Sequence, residues 1–159
     1  MRYILRQKIF SFGDNFTIRD EAGNDIFIVK SQLLSFGHKL RIFDLGGNEL
    51  CYIEQRLLRF MPEYDVYVGG TLTVNIKKKF TFFTKEFIIT GEGGSFQIDG
   101  DFWAHEFDIV KNGRSVARIS KSFFSFSDTY GVDIDDSEDQ ITNLALAVVI
   151  DLVAHDDHD

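Results

Sequence analysis

Three consecutive lysines, Lys77-Lys78-Lys79, are the densest positive cluster in the sequence. Such a triplet holds an anionic headgroup by charge, at about 1 kcal/mol per lysine near an anionic membrane. The competing reading is a solvated strand end whose charges deter edge pairing, and the net charge of −8 favours it. Asp133, Asp135, Asp136, Glu138 and Asp139 form a second cluster. Carboxylates this dense suit Ca²⁺, but a calcium loop begun at Asp133 needs glycine at 138 and glutamate at 144, where Glu138 and Leu144 stand. Helix capping and dipole compensation explain the acids more simply, and no metal is expected. Cys51 has no nucleophile motif around it and reads as a small strand hydrophobe. His105 shares strand parity with Phe107 and Ile109 and so faces inward, whereas Glu106 falls on the other face. His155 and His158 read as solvated tail residues, and Trp103 as a core aromatic after a Gly-Asp turn. No metal-ligand spacing, nucleotide-binding glycine loop or Ser/His/Asp motif is present, so the expectation is no cofactor and no catalysis.

The elements that carry these residues are mostly strands. Apolar and polar residues alternate from about residue 3 to 135. Phe16 to Asp20, a turn at Ala22-Gly23-Asn24, and Asp25 to Lys30 form a hairpin signature. Leu40 to Asp44, Gly46-Gly47-Asn48, and Glu49 to Ile53 repeat it. The copies align at an offset of 24, matching Asp20 with Asp44, Gly23 with Gly47, and Asn24 with Asn48. Further strands turn at Gly69-Gly70 and at Asn112-Gly113, for eleven or twelve in all. A total of 17 phenylalanines against one proline fits a sheet-built core with unbroken strands.

The ending differs in kind. Ser137-Glu138-Asp139-Gln140 reads as a capping box with Ser137 at the N-cap. An apolar run from Ile141 to Ala154 follows, predicting a helix over about 138–154 and an acidic tail over 155–159. The helix has no polar face, so it is buried in protein or spans a membrane. Fourteen residues with Asn143 and Asp151 among them fall short of the roughly 20 apolar residues of a span. Burial all round needs a container, and a barrel of eleven or twelve strands is wide enough for a helix about 10–12 Å across.

The glycine-asparagine hairpins, the segment Gly100-Asp101-Phe102-Trp103-Ala104-His105-Glu106, and the run from Ile119 to Ile134 before an acidic turn and apolar helix resemble the LURP-one-related family, in particular its bacterial members. These are tubby C-terminal-like domains. The resemblance covers nearly the whole chain and implies a mainly β (β+α) fold: a closed antiparallel barrel of about twelve strands around a central hydrophobic C-terminal helix, with residues 1–159 as one domain. Related tubby domains bind phosphoinositides, phospholipid scramblases are distant relatives, and plant members are linked to defence. The resemblance carries no lipid-contacting residue over to this chain.

The expected function is therefore a non-enzymatic binding module for a phosphoinositide or other anionic phospholipid headgroup, with Lys77, Lys78 and Lys79 as the candidate contacts. The alternative is a cytoplasmic protein-interaction or structural domain with no small ligand. One cysteine cannot form an internal disulfide, and the N-terminus lacks an apolar signal core, so a cytoplasmic address without a transmembrane segment is expected. The negative charge argues against broad, non-specific binding to nucleic acid or anionic membrane, and it leaves room for a small local basic site.

Overall fold

The structure is a computed structural model and describes residues 1–6, 15–34, 37–57, 60–80, 85–124 and 128–156. Twelve strands run in chain order: β1 (Arg2–Arg6), β2 (Phe16–Asp20), β3 (Asp25–Leu34), β4 (Gly37–Asp44), β5 (Glu49–Gln55), β6 (Glu63–Val68), β7 (Thr71–Phe80), β8 (Lys85–Gly91), β9 (Gly94–Asp101), β10 (Glu106–Lys111), β11 (Arg114–Ser120) and β12 (Thr129–Ile134). Each pairs antiparallel with its chain neighbours, and β1 pairs with β12 to close the ring. One helix, α1 (Gln140–Asp156), follows.

The two hairpin copies are equivalent down to single bonds. The Asn24 amide donates to Asp20 Oδ1 at 2.9 Å, and the Asn48 amide donates to Asp44 Oδ1 at 2.9 Å. Gly23 and Gly47 take φ of 84° and 89°, a left-handed conformation that side chains resist. Each copy also has a register shift at the same place, Ile18/Arg19 and Ile42/Phe43. These are bulges that accommodate the tight turns.

Alternation fills the barrel. Leu40 and Ile42 on β4, Cys51 and Ile53 on β5, and Tyr64 and Val66 on β6 are all buried. Helix α1 runs through this interior. Every residue from Leu144 to Val149 is at most 1% exposed, and so are Ile150 and Leu152. A helix apolar on every side meets wall on every side, and each large side chain contributes about 1.5–3 kcal/mol of burial.

The helix begins later than its sequence suggests. Asp139, not Ser137, is the cap: its carboxylate accepts from the Ile141 amide at 3.2 Å and from the Thr142 hydroxyl at 2.5 Å. The Ser137 hydroxyl is taken instead by Asp135 Oδ1 at 2.8 Å. The helix continues to Asp156, two residues past the expected end. Of the expected tail, residues 157–159, with His158, lie outside the described residues, as does the side chain of His155.

The meander gives the barrel two unlike ends. Short turns such as Gly69-Gly70 and Asn112-Gly113 close one, where α1 also enters. The other holds β5–β6, β9–β10 and β11–β12, of which β5–β6 and β11–β12 are longer than any strand-to-strand turn at the first end.

Candidate functional site

Strand β7 divides the lysine triplet. Val74 and Ile76 face the core, and Lys78 follows them inward, where it is 5% exposed. Lys77 and Lys79 lie outside and are exposed. Inside, Lys78 shares the loop end with the carbonyl end of α1, where a positive charge is favoured. Outside, Lys77 stands opposite Glu63 on β6 and Ile88 on β8. The Lys78 amide donates to the Pro62 carbonyl at 3.0 Å, so the β5–β6 connection lies alongside. In that connection Leu57 is 52% exposed and Phe60 is 101% exposed, and Ile88 nearby is 45% exposed. Two lysines and three uncovered apolar side chains thus share one corner of the loop end.

The same corner has an acidic floor of two carboxylates held by one guanidinium and one amide. Arg56 Nε lies 2.6 Å from Asp65 Oδ2 and 3.3 Å from Glu63 Oε2. Asn75 Nδ2 donates to both carboxylates, at 2.8 and 2.9 Å. Asp65 holds the Arg56 guanidinium above its ordinary range. Both acids are nearly buried, so Arg56 and Asn75 spare them an unpaired burial.

His105 faces inward as its parity requires. Its Nε2 lies 2.6 Å from Asp151 Oδ1 on α1, and each side chain is 2% exposed. Its ring stacks on Tyr130, with centroids 4.5 Å apart. Burial first, and the Asp151 charge second, push the Tyr130 hydroxyl well above its ordinary range. His105 takes a φ of 55°, a strained value for a residue with a side chain, and its bond to Asp151 fixes it there. The cluster ties the far end of the core helix to the wall, and neither outer cleft described below is lined by it. Trp103, expected in the core, is half-buried at the rim of the β9–β10 turn. It packs on Phe102, which meets Phe87 edge-on at 5.1 Å.

The acidic cluster is absorbed into the turn end. Arg2 holds Asp133, and Arg114 spans Asp135 and Glu138. The Met1 amino group holds Asp136, and Asp139 caps α1. Among the described residues, no group of three or more His, Cys, Asp or Glu side chains could hold a metal ion. Cys51 is buried, and burial pushes its thiol up to about 12, which leaves it unreactive.

Clefts lined by described residues open on the outer wall. One, of about 360 Å³, lies over β4–β6. Its Arg41 is already engaged, stacked on Tyr52 at 4.6 Å and bonded to Glu49 at 2.9 Å. The Tyr52 hydroxyl donates to Glu54 at 2.7 Å, and burial together with that carboxylate raises it to about 12. The second, of about 310 Å³, lies at the seam between β1 and β2 and is lined by Arg6 and Arg19. Sequence reasoning singled out neither cleft.

The LURP-one-related family model matches residues 1–151. The chain belongs to that family. Among curated LURP-one-related relatives, the uncharacterized protein YxjI of Bacillus subtilis (strain 168) is 35% identical over 155 residues, covering 98% of this chain and 94% of its own. An X-ray structure of a protein from Arabidopsis thaliana superposes with a TM-score of 0.68 at 16% identity, covering 96% of this chain and 91% of that one, and shares the fold. Among the described residues, no helix is long and apolar enough to cross a membrane.

Proposed function

We propose that this LURP-one-related protein is a non-catalytic binding module that docks on anionic phospholipid, phosphoinositides included, through the loop end of its barrel. The observation that carries this reading is the exposure of Phe60 and Leu57 in the β5–β6 connection, and of Ile88 opposite Lys77, at the same end as the outward Lys77 and Lys79. An uncovered aromatic amid cations suits an interface that is apolar in its depth and anionic at its surface. Lys78 is not part of the contact, because it points into the barrel.

Vesicle sedimentation tests the reading. The protein binds phosphatidylcholine vesicles that contain phosphatidylserine or phosphoinositide, releases at high salt, and ignores phosphatidylcholine alone. Lys77→Ala/Lys79→Ala weakens binding by about 2 kcal/mol, and Lys78→Met leaves it unchanged in the folded fraction. Absence of binding to anionic vesicles at low salt discards the reading in favour of a protein-interaction domain.

A further inference from the structure

We propose that the seam between β1 and β2 is a binding site for a phosphate-type oxyanion carried on a small organic body. The seam joins two chain-neighbouring strands of the closed barrel, and their pairing is short. Strand β1 pairs with β12 at five positions but with β2 at two, Tyr3↔Asp20 and Ile4↔Arg19. Beyond Ile4 the strands part, and the cleft of about 310 Å³ occupies the gap. The bulge in β2 does not explain the opening, because its twin β4 carries the same bulge and still keeps eight pairs to β3.

The chemistry of the gap is unlike the rest of the surface. The chain holds 25 acids against 17 bases, yet among the described residues the lining contains no carboxylate. Every other arginine among the described residues has a carboxylate partner: Arg2, Arg19, Arg41, Arg56, Arg114 and Arg118. Arg6 has no ion pair among the described residues, and it lines this cleft. Arg19 lines it too and is tied to Asp25 through Nε, at 3.0 Å. Asn15 and Thr17 add polar groups, and Ile4 and Ile28 add an apolar surface.

A guanidinium presents a planar fork of donors that matches oxyanions, and two of them suit a dianion better than a single carboxylate. The volume selects something larger than a bare ion. A water occupies about 30 Å³ of liquid, whereas small-molecule sites begin near 300 Å³. Phosphate monoesters meet both conditions, as a soluble metabolite or as the headgroup of a phosphatidate. The site is independent of the membrane-docking corner, because β7 lies six strands from β1 around the ring in either direction.

Amide NMR titration with sn-glycerol 3-phosphate separates the outcomes. Saturable shifts are expected at Leu5, Arg6, Thr17 and Thr129. Arg6→Ala weakens binding about tenfold or more, and Arg6→Lys falls between because it keeps charge without the fork. Lys77→Ala/Lys79→Ala leaves the affinity unchanged, so loss of vesicle docking and loss of this site are told apart. If the soluble ester does not saturate, Arg6-dependent sedimentation with phosphatidic acid vesicles, measured in the Lys77→Ala/Lys79→Ala background, assigns the same chemistry to a lipid headgroup. Arg6 is exposed, and an unchanged melting temperature in Arg6→Ala excludes unfolding. Binding of either probe that is indifferent to Arg6, or binding of neither, overturns the proposal.

Discussion

At the turn end of the barrel, Gly23, Gly47, Gly69, Gly70, Gly93 and Gly113 all adopt positive φ and reverse the chain within a few residues. At the loop end, the β5–β6 and β9–β10 connections place Leu57, Phe60, Phe102 and Trp103 at or near the surface. Exposed apolar residues occur at both ends, since Leu45 is 60% exposed in the β4–β5 turn. The difference lies in the company they keep: Leu45 stands between Asp44 and Glu49 in sequence, whereas Phe60 belongs to the connection whose Pro62 carbonyl accepts from the Lys78 amide. The turn end spends its charges on itself, in the pairs of Arg2 with Asp133 and of Arg114 with Asp135 and Glu138. The loop end presents the exposed Lys77 and Lys79 with exposed apolar groups outside, and it holds a buried polar cluster inside.

Helix α1 is what lets the two ends behave as one body, since it is capped at the first and pinned at the second. Ending the chain after Asp136 removes it, and the wall then has no filling. The expected result is loss of the cooperative melting transition by calorimetry, because the lost burial exceeds a typical net stability of about 5–15 kcal/mol. A shortened protein that still melts sharply near the parent's temperature breaks the comparison, because the ends would then not depend on the shared core.

A smaller effect isolates the pin. Asp151→Ala leaves His105 without its carboxylate partner in the interior and is expected to cost about 3–5 kcal/mol in urea denaturation. His105→Phe/Asp151→Leu replaces the pair with apolar groups and recovers most of that loss. If the double variant is as damaged as the single one, the loop end is held by something other than this pair.

The turn end was legible in the sequence because its rules are local. The offset of 24 residues foretold two hairpins that agree bond for bond, and the unbroken apolar run foretold a helix that needs a container. The cap slipped by two residues because Ser137 and Asp139 both suit the position, and Asp135 had already claimed the Ser137 hydroxyl. Lysine alternation on β7 was readable too: with Val74 and Ile76 inward, Lys78 must follow. The pair of His105 and Asp151 spans 46 residues and has no local signature. Its sole hint is that a carboxylate inside an apolar helix needs a partner. The Arg6 cleft was out of reach, because it depends on how early the pairing of β1 with β2 stops, which no local pattern encodes.

The smallest expected effect tests whether the twin turns are as self-contained as their bonds suggest. The Asn48 side chain donates to Asp44 Oδ2 at 2.9 Å, against 3.4 Å for Asn24 to Asp20. The Asn48 side chain, and then its backbone amide, hold the Asp44 carboxyl below the usual carboxylate range. A carboxyl depressed in the folded state contributes stability above its unfolded value and loses it as pH falls through the folded one. The contribution is slight for so exposed a group, so the titration itself is the readout. Carboxyl-carbon NMR should place the Asp44 midpoint below the usual range. Asn48→Ala should return it part of the way, because the backbone amide still donates at 2.9 Å. A midpoint at the ordinary carboxylate value in the unmodified protein means that solvent competes successfully for Asp44, and the turn end is then less closed on itself than its geometry implies.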